Sequence, residues 1–171
     1  KGDQHAMDKL YMEYADYLTG VCARYISDED EVKDVLQDSF IKIFTQIHQF
    51  EYRGKDSLKA WITKVVINEA LMYLRQNKTF LVPIQESDIV DCLDEEPEME
   101  NLGADILFSF IQKLPPGYRA VFNLFVIEEK SHKEIAEILQ IQPATSASQF
   151  LRARKLLAEM IREYKHQMEN R

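Results

Sequence analysis

The side chains with the clearest chemical potential lie near the C-terminal end of the chain. Between positions 145 and 154, on what the spacing predicts to be a single helix, stand hydroxyl, amide and guanidinium groups: Thr145, Ser146, Ser148, Gln149, Arg152 and Arg154. Groups of these types hydrogen-bond to the edges of bases and to phosphate oxygens. The residue types therefore indicate a helix that can read duplex DNA.

The segment before this helix has the spacing of the first half of a helix-turn-helix. Ser131 and Glu134 form the pattern of a capping box, which begins a helix. A tight turn is expected at Gln140, where glycine often supplies a left-handed backbone, and Pro143 fits the first turn of the following helix. In a helix-turn-helix the second helix presents its N-terminal residues to the major groove. An ordinary helical hairpin with a polar outer face shares this spacing and stays open as the alternative.

A second set of side chains forms a stripe on a helix predicted over 29–49. Its members are spaced to lie opposite the apolar side of that helix, and they combine acidic and amide groups with one isoleucine: Asp30, Asp34, Gln37, Asp38 and Ile41. An exposed isoleucine among carboxylates suits docking to another protein. The alternative is a solvated acidic surface, which is common on the outer face of a helix.

A third set lies on a helix predicted over 57–76, for which Ser57 is the predicted N-cap. One line of this helix combines an aromatic ring with basic and amide groups: Trp61, Lys64, Asn68, Met72 and Arg75. Stacking surfaces beside positive charge favour single-stranded nucleic acid, whose bases expose their faces. The preceding loop, which includes Arg53, Lys55 and Asp56, could reach an extruded base by hydrogen bonds. A core tryptophan with a polar rim is the alternative.

The elements that position these groups are predicted to be helices throughout, because apolar residues recur at spacings of three and four. The predicted helices cover 4–25, 29–49, 57–76, 102–113, 116–127, 131–139 and 143–166. This pattern predicts an all-α fold of two small helical domains, 1–78 and 101–171. An acidic linker over 79–100 is predicted to join them.

The net charge of −8 is concentrated in that linker. Residues 1–78 carry 11 Lys and Arg against 13 Asp and Glu, residues 79–100 carry none against 8, and residues 101–171 carry 10 against 8. Two prolines, Pro83 and Pro97, also interrupt the acidic segment. Because the acidity lies between the domains, it does not exclude DNA binding by either of them.

Several classes of protein are disfavoured by what the sequence lacks. No apolar run approaches the roughly 20 residues that cross a bilayer, and the N-terminal residues do not resemble a secretory signal, so we expect a cytoplasmic protein without membrane insertion. The two cysteines and four histidines are scattered, so no metal and no cofactor are expected. An enzyme that uses the carboxylates of Asp34 and Asp38 is a remote alternative, since histidine ligands do not accompany them. No catalytic residue is expected.

Taken in order, these blocks resemble the extracytoplasmic-function (ECF) sigma factors, which are promoter-recognition subunits of bacterial RNA polymerase. In the first domain the resemblance rests on DEDEVKDVLQDSFIK at 28–42, SLKAWI at 57–62 and the segment 68–75. In the second it rests on LPPGYRAVF at 114–122, SHKEIA at 131–136 and RAR at 152–154. The chain departs from the usual family pattern at Met72, Gln76 and Ala147.

The resemblance assigns a role to each set of residues. It implies that the acidic helix docks on core RNA polymerase through Asp30, Asp34, Gln37, Asp38 and Ile41. It implies that the minus-ten element and its melted strand are held by Arg53, Lys55, Ser57, Trp61, Lys64, Asn68 and Arg75. It implies that the minus-thirty-five element is read by His132, Lys133, Thr145, Ser146, Ser148, Gln149, Arg152 and Arg154.

The resulting hypothesis is a protein that performs no chemistry of its own. It would direct core polymerase to specific promoters, read the minus-thirty-five element as duplex and capture the melted minus-ten DNA. An inhibitory anti-sigma factor is a further partner that the resemblance implies. The rival hypothesis is a stand-alone helix-turn-helix transcriptional regulator, in which the first domain would serve sensing or dimerisation.

Overall fold

The computed structural model describes residues 4–77 and 102–170, and within these ranges the chain forms helices and connecting turns, as the all-α prediction requires. The chain divides into two compact units, Lys1–Asn77 and Lys78–Arg171. The acidic linker predicted over 79–100 lies outside the described residues. Each unit has its own buried core.

The first unit contains three long helices that all contact one another: α1 (Gln4–Ala23), α2 (Glu29–Gln46) and α3 (Ser57–Gln76). A single 3-10 turn, Ile47–Gln49, follows α2. Helix α2 begins where expected because the Asp28 carboxylate accepts hydrogen bonds from the backbone N–H groups of Asp30 and Glu31, both at 3.0 Å. The apolar sides of the helices meet in a core that includes Leu18, Val21, Val35, Ile43, Ile62 and Val66.

The start of α3 corrects one prediction, since Ser57 does not cap this helix. Ser57 is the first helical residue, and Asp56 before it has a left-handed backbone with φ of 67° and makes no side-chain cap. The Ser57 hydroxyl instead donates to the carbonyl oxygen of Gly54 at 2.7 Å and accepts from the backbone N–H of Arg53 at 3.3 Å. The hydroxyl therefore fixes the loop before the helix.

An ion pair joins α2 to α3 at the edge of this core. The ammonium of Lys42 lies 2.6 Å from a carboxylate oxygen of Glu69. The Glu69 side chain is only 7% exposed, whereas that of Lys42 is 40% exposed. The pair thus brings a charge into the contact between the two helices and neutralises it there.

The second unit contains α4 (Ala104–Lys113), α5 (Pro116–Val126), α6 (His132–Leu139) and α7 (Pro143–Glu169). Proline is the first residue of both α5 and α7, where its missing N–H costs no hydrogen bond. The main core joins α4, α5 and α7 through Phe110, Ile111, Leu114, Tyr118, Phe122, Ala153, Leu157 and Ile161. Helix α6 packs on α5 and α7 and buries Ile135, Ala136 and Leu139.

Candidate nucleic-acid interface

Helices α6 and α7 form the predicted helix-turn-helix. The capping box is present: the Ser131 hydroxyl accepts from the backbone N–H of Glu134 at 3.3 Å, and the Glu134 carboxylate accepts from the backbone N–H of Ser131 at 2.9 Å. Hydrogen bonds from the Ser131 backbone and then from its side chain lower the pKa of the Glu134 carboxyl. Gln140 has the expected left-handed backbone, with φ of 56°. The turn is closed by the backbone N–H of Ile141, which donates to the carbonyl oxygen of Ala136 at 3.0 Å.

The structure divides the polar residues predicted to face DNA into two groups. Lys133 is exposed at the start of α6, while Thr145, Ser148 and Arg154 on α7 are partly exposed. The Ser148 hydroxyl donates to the carbonyl oxygen of Thr145 at 3.0 Å, and the Arg154 guanidinium lies 6.0 Å from the centre of the Phe150 ring. These side chains are accessible from solvent.

The second group corrects the prediction, because three of the side chains expected to face DNA are buried within the unit. Ser146 is 0% exposed, Gln149 is 1% exposed and Arg152 is 8% exposed. The guanidinium of Arg152 donates to the Tyr118 hydroxyl at 3.4 Å. The spacing of Ser146 and Gln149 places them on the same side of α7 as the apolar core residues Ala153 and Leu157. Continuing that apolar line toward the start of the helix would have identified these two residues as buried.

His132 also lies partly inside the unit and not wholly at its surface. Its imidazole stacks on the Phe125 ring, with 4.6 Å between ring centres and 20° between planes. Its Nδ1 atom lies 3.0 Å from the Ser146 hydroxyl oxygen. Burial lowers the pKa of His132, which favours the neutral imidazole. The ring therefore has structural contacts on two neighbouring helices.

In the first unit, a surface cavity lies beside the predicted line on α3. It has a volume of about 410 Å³ and is lined by Gln49, Phe50, Glu51, Arg53, Ser57 and Trp61. The structure thus brings together Arg53, Ser57 and Trp61, three of the residues in the minus-ten prediction. Lys55 is exposed on the same loop, and the line on α3 continues with Lys64 and Asn68, both exposed, and with the partly exposed Arg75.

Two features of this cavity were not predicted from the sequence. The Phe50 ring lies 5.7 Å from the Trp61 ring, with 48° between planes, so an aromatic pair forms one wall. Gln49 and Glu51 line the cavity as well, and the Glu51 carboxylate accepts a hydrogen bond from Arg53 at 2.9 Å. The sequence pattern that could have predicted this wall is an aromatic residue directly before a polar loop that leads to a tryptophan.

The predicted stripe on α2 is exposed along its length. Asp30, Asp34, Gln37 and Asp38 are exposed, and Ile41 is 53% exposed. Beside the stripe, the exposed Tyr11 ring of α1 lies against the buried ring of Phe40, with 4.8 Å between ring centres and 52° between planes, and the Phe44 ring lies 5.8 Å from that of Phe40.

The negative charge of Asp30 on the stripe is partly balanced, because its carboxylate binds the Lys33 ammonium at 2.8 Å. The hydrogen bond and then the charge of Lys33 lower the pKa of Asp30. The stripe is therefore less negative at its first turn than the carboxylates alone imply.

Within 4–77 and 102–170, no group of three or more His, Cys, Asp or Glu side chains is arranged to hold a metal ion. None of the helices in the part of the chain that the structure describes has the length and apolar character needed to cross a membrane.

Comparison with known proteins connects both units to one family. Residues 10–80 match sigma-70 region 2, and residues 104–157 match sigma-70 region 4. The chain is 31% identical to the ECF RNA polymerase sigma-E factor of Haemophilus influenzae, over 94% of this chain and 90% of that protein. It is 29% identical to the RNA polymerase sigma-H factor of Pseudomonas aeruginosa, over 95% of this chain and 92% of that protein.

Among solved structures, the chain resembles a sigma factor from Bartonella quintana that was crystallised with an anti-sigma factor. The likeness has a TM-score of 0.49 and a sequence identity of 22%, and it covers 91% of this chain and 96% of that one. The assignment rests on the sequence matches. The chain belongs to the ECF family of RNA polymerase sigma factors.

Proposed function

We propose that this sigma factor directs core RNA polymerase to specific promoters with two separate DNA-binding surfaces, one in each unit. The observation that carries this proposal is the pair of matches, region 2 over residues 10–80 and region 4 over residues 104–157. We further propose that it acts in the cytoplasm and has no catalytic site or cofactor. Specificity then comes from binding alone.

The cavity beside Trp61 is proposed to receive a base from the melted minus-ten strand. Its volume of about 410 Å³ falls in the range of roughly 300–1,000 Å³ that is usual for small-molecule sites. The rings of Trp61 and Phe50 offer stacking surfaces, and the carboxylate of Glu51 and the hydroxyl oxygen of Ser57 offer hydrogen-bond acceptors for the amino or imino groups of a base.

Beyond the cavity, α3 provides groups for the strand that leads to that base. Lys64 and Asn68 are exposed one and two turns after Trp61, and Arg75 lies two turns further. An ammonium and a guanidinium attract phosphates without regard to sequence, while an amide can bind a base edge. The loop residues Arg53 and Lys55 would add two further positive charges.

The minus-thirty-five element is proposed to be read by the exposed part of the helix-turn-helix. Thr145 and Ser148 lie in the first turns of α7, the part of a recognition helix that enters the major groove. Lys133 and Arg154 carry positive charge suited to phosphates. In this proposal Ser146, Gln149 and Arg152 support the helix from within the unit.

The exposed stripe on α2 is proposed to bind core RNA polymerase. It offers carboxylates for basic groups of the polymerase, and Ile41 offers an apolar contact at the C-terminal end of the stripe. An inhibitory anti-sigma factor is a further expected partner, since ECF sigma factors are commonly held inactive by one. A stand-alone helix-turn-helix regulator is less favoured, because it leaves the region 2 match without a role.

In vitro transcription with core polymerase and a library of genomic fragments tests the function directly. We expect defined start sites that require both the polymerase and this chain. Footprinting by the chain alone is expected to be weak, because each unit is small and the chain is acidic overall. Equal transcription without the chain, or tight sequence-specific binding without polymerase, would contradict the proposal.

Substitutions then separate the surfaces. Trp61→Ala is expected to reduce open-complex formation on duplex promoters, with Thr19→Ala on the exposed side of α1 as its control. Asp34→Lys is expected to weaken binding to core polymerase, whereas the same change at exposed Asp16 on α1 is its matched control. If the members of each pair behave alike, the assigned surface is wrong.

A further inference from the structure

The imidazole of His132 connects three helices of the second unit. His132 is the first residue of α6, and its ring stacks on Phe125 near the end of α5 at 4.6 Å. The same ring lies 5.8 Å from the ring of Phe150 on α7. Its Nδ1 atom is 3.0 Å from the hydroxyl oxygen of Ser146, also on α7. Contacts on both sides hold the ring in one place.

The Ser146 hydroxyl, which His132 contacts, lies on α7 beside the side chains that are proposed to bind DNA. Ser146 is the fourth residue of that helix and is 0% exposed. Its neighbours in sequence and on the helix include Thr145 and Ser148, which are the side chains proposed to meet base edges. Any shift of α7 at Ser146 therefore moves both of them relative to DNA.

The bond ties α6 to α7 at the end of α6 that is distant from the turn. At the other end, the turn at Gln140 already joins the two helices. Helix α6 has 8 residues, so the two attachments are about 12 Å apart at 1.5 Å per residue. Without the second attachment, a rotation of about 10° at the turn would separate the far end of α6 from α7 by roughly 2 Å, so the angle between the two helices would no longer be fixed at that end.

We propose that His132 is a positioning residue for minus-thirty-five recognition. Its bond to Ser146 and its stacking on Phe125 hold α7 at the angle at which Thr145 and Ser148 meet the bases. This inference rests on the proposed DNA-reading role of α7. In this proposal His132 and Ser146 act inside the helix-turn-helix, and the exposed residues around them make the direct contacts with DNA.

The test compares holoenzymes that carry His132→Phe, Ser146→Ala or both. Phenylalanine keeps a ring on Phe125 and removes the bond, while alanine removes the other partner. The measurement is the ratio of transcription from the best minus-thirty-five sequence to that from single-base variants of it. Transcription is also measured from a second kind of template, which has a pre-melted minus-ten region and no minus-thirty-five element. Initiation on that template does not depend on α7. His166→Phe, at an exposed position of α7, is the matched control.

Each single substitution is expected to lower the discrimination ratio by about three- to tenfold, the effect of one hydrogen bond of ordinary strength. The double substitution is expected to lower it no further, because both changes remove the same bond. Transcription from the pre-melted template is expected to stay at the level of the wild type. His132→Asn, whose amide can still bond Ser146, is expected to keep more discrimination than His132→Ala.

Four results would overturn the proposal. Unchanged discrimination in His132→Phe, or losses that multiply in the double variant, would show that the bond does not position α7. An equal loss on the pre-melted template would indicate general damage to the protein. If the wild-type holoenzyme itself ignores the minus-thirty-five sequence, the proposed role of α7 fails first, and this inference fails with it.

Discussion

Replacing Lys42 with methionine tests how far the buried carboxylate of Glu69 depends on its partner. Breaking a fully buried ion pair by removing one member costs about 3–5 kcal/mol. Here the carboxylate is 7% exposed but the ammonium is 40% exposed, so water screens part of the interaction. We therefore expect Lys42→Met to lower the free energy of unfolding of the first unit by about 2 kcal/mol.

Substitution of Glu69 is expected to lower the free energy of unfolding less than substitution of Lys42. Glu69→Leu removes the buried charge, and the half-exposed Lys42 can then turn toward water. The double variant Lys42→Met with Glu69→Leu places apolar groups on both sides of the contact and is expected to be close to the wild type in stability. The order of stability is therefore a stronger test than any single value.

Urea unfolding of the full chain, followed by tryptophan fluorescence, measures this order. Trp61 is the only tryptophan in the sequence and lies on α3, so its emission reports on the first unit. With a slope of about 1–2 kcal/mol per M, Lys42→Met is expected to lower the midpoint by about 1–2 M. Lys33→Met is the control, because Lys33 forms an exposed ion pair on α2, and its midpoint is expected to match the wild type.

The reasoning is refuted if Lys42→Met and Lys33→Met unfold at the same urea concentration. It is also refuted if the double variant is no more stable than Lys42→Met alone. Either result would mean that the Glu69 carboxylate finds compensation elsewhere, or that its burial costs little.

Three further outcomes follow from single residues. Gln140→Gly relieves a left-handed backbone at the turn and is expected to stabilise the second unit by about 0.5–1 kcal/mol, measured as slower hydrogen exchange of the α6 amides; faster exchange would contradict this. Burial lowers the pKa of His132, so the unfolding free energy of the second unit is expected to fall as the pH drops below about 6.5, the ordinary histidine value, and to level off below the folded-state pKa. An imidazole that titrates at or above 6.5 by NMR would exclude this. Burial raises the pKa of the Cys22 thiol to about 12, so iodoacetamide at pH 8 is expected to modify it only after unfolding, as read by mass spectrometry of its peptide.

Much of the fold could be predicted because local signals set the helix boundaries. Pro116 and Pro143 each begin a helix at the predicted position, and the capping box of Ser131 and Glu134 begins α6 as its letters indicate. These signals act within four residues of one another along the chain. They therefore do not depend on how the helices pack.

The candidate site was harder to predict because residue type and helix spacing disagreed on α7. The types of Ser146 and Gln149 suggest contact with DNA, whereas their spacing places them in line with Ala153 and Leu157, and the structure follows the spacing. Arg152 is held by a bond to Tyr118, which is 34 positions away in the sequence. Spacing along one helix cannot reveal a contact of that range.

The cavity in the first unit depended on the path of a loop. Gly54 has φ of 108° and Asp56 has φ of 67°, so the chain turns twice through left-handed backbone before α3 begins. These turns, together with the hydroxyl bond of Ser57, bring Phe50 to Trp61. Apolar periodicity carries no information about such turns, so the aromatic wall was not predicted.

If α7 reads the minus-thirty-five element as proposed, its division between buried and partly exposed polar residues limits how promoter preference can evolve in this chain. A mutation at Ser146, Gln149 or Arg152 is filtered first by its effect on the stability of the unit, because those side chains lie inside it. A mutation at the partly exposed Thr145 or Ser148 is expected to affect the stability of the unit less. If a gene for this protein is duplicated, the copies can therefore acquire separate target promoters by drift at a few surface positions while the interior of the helix stays unchanged.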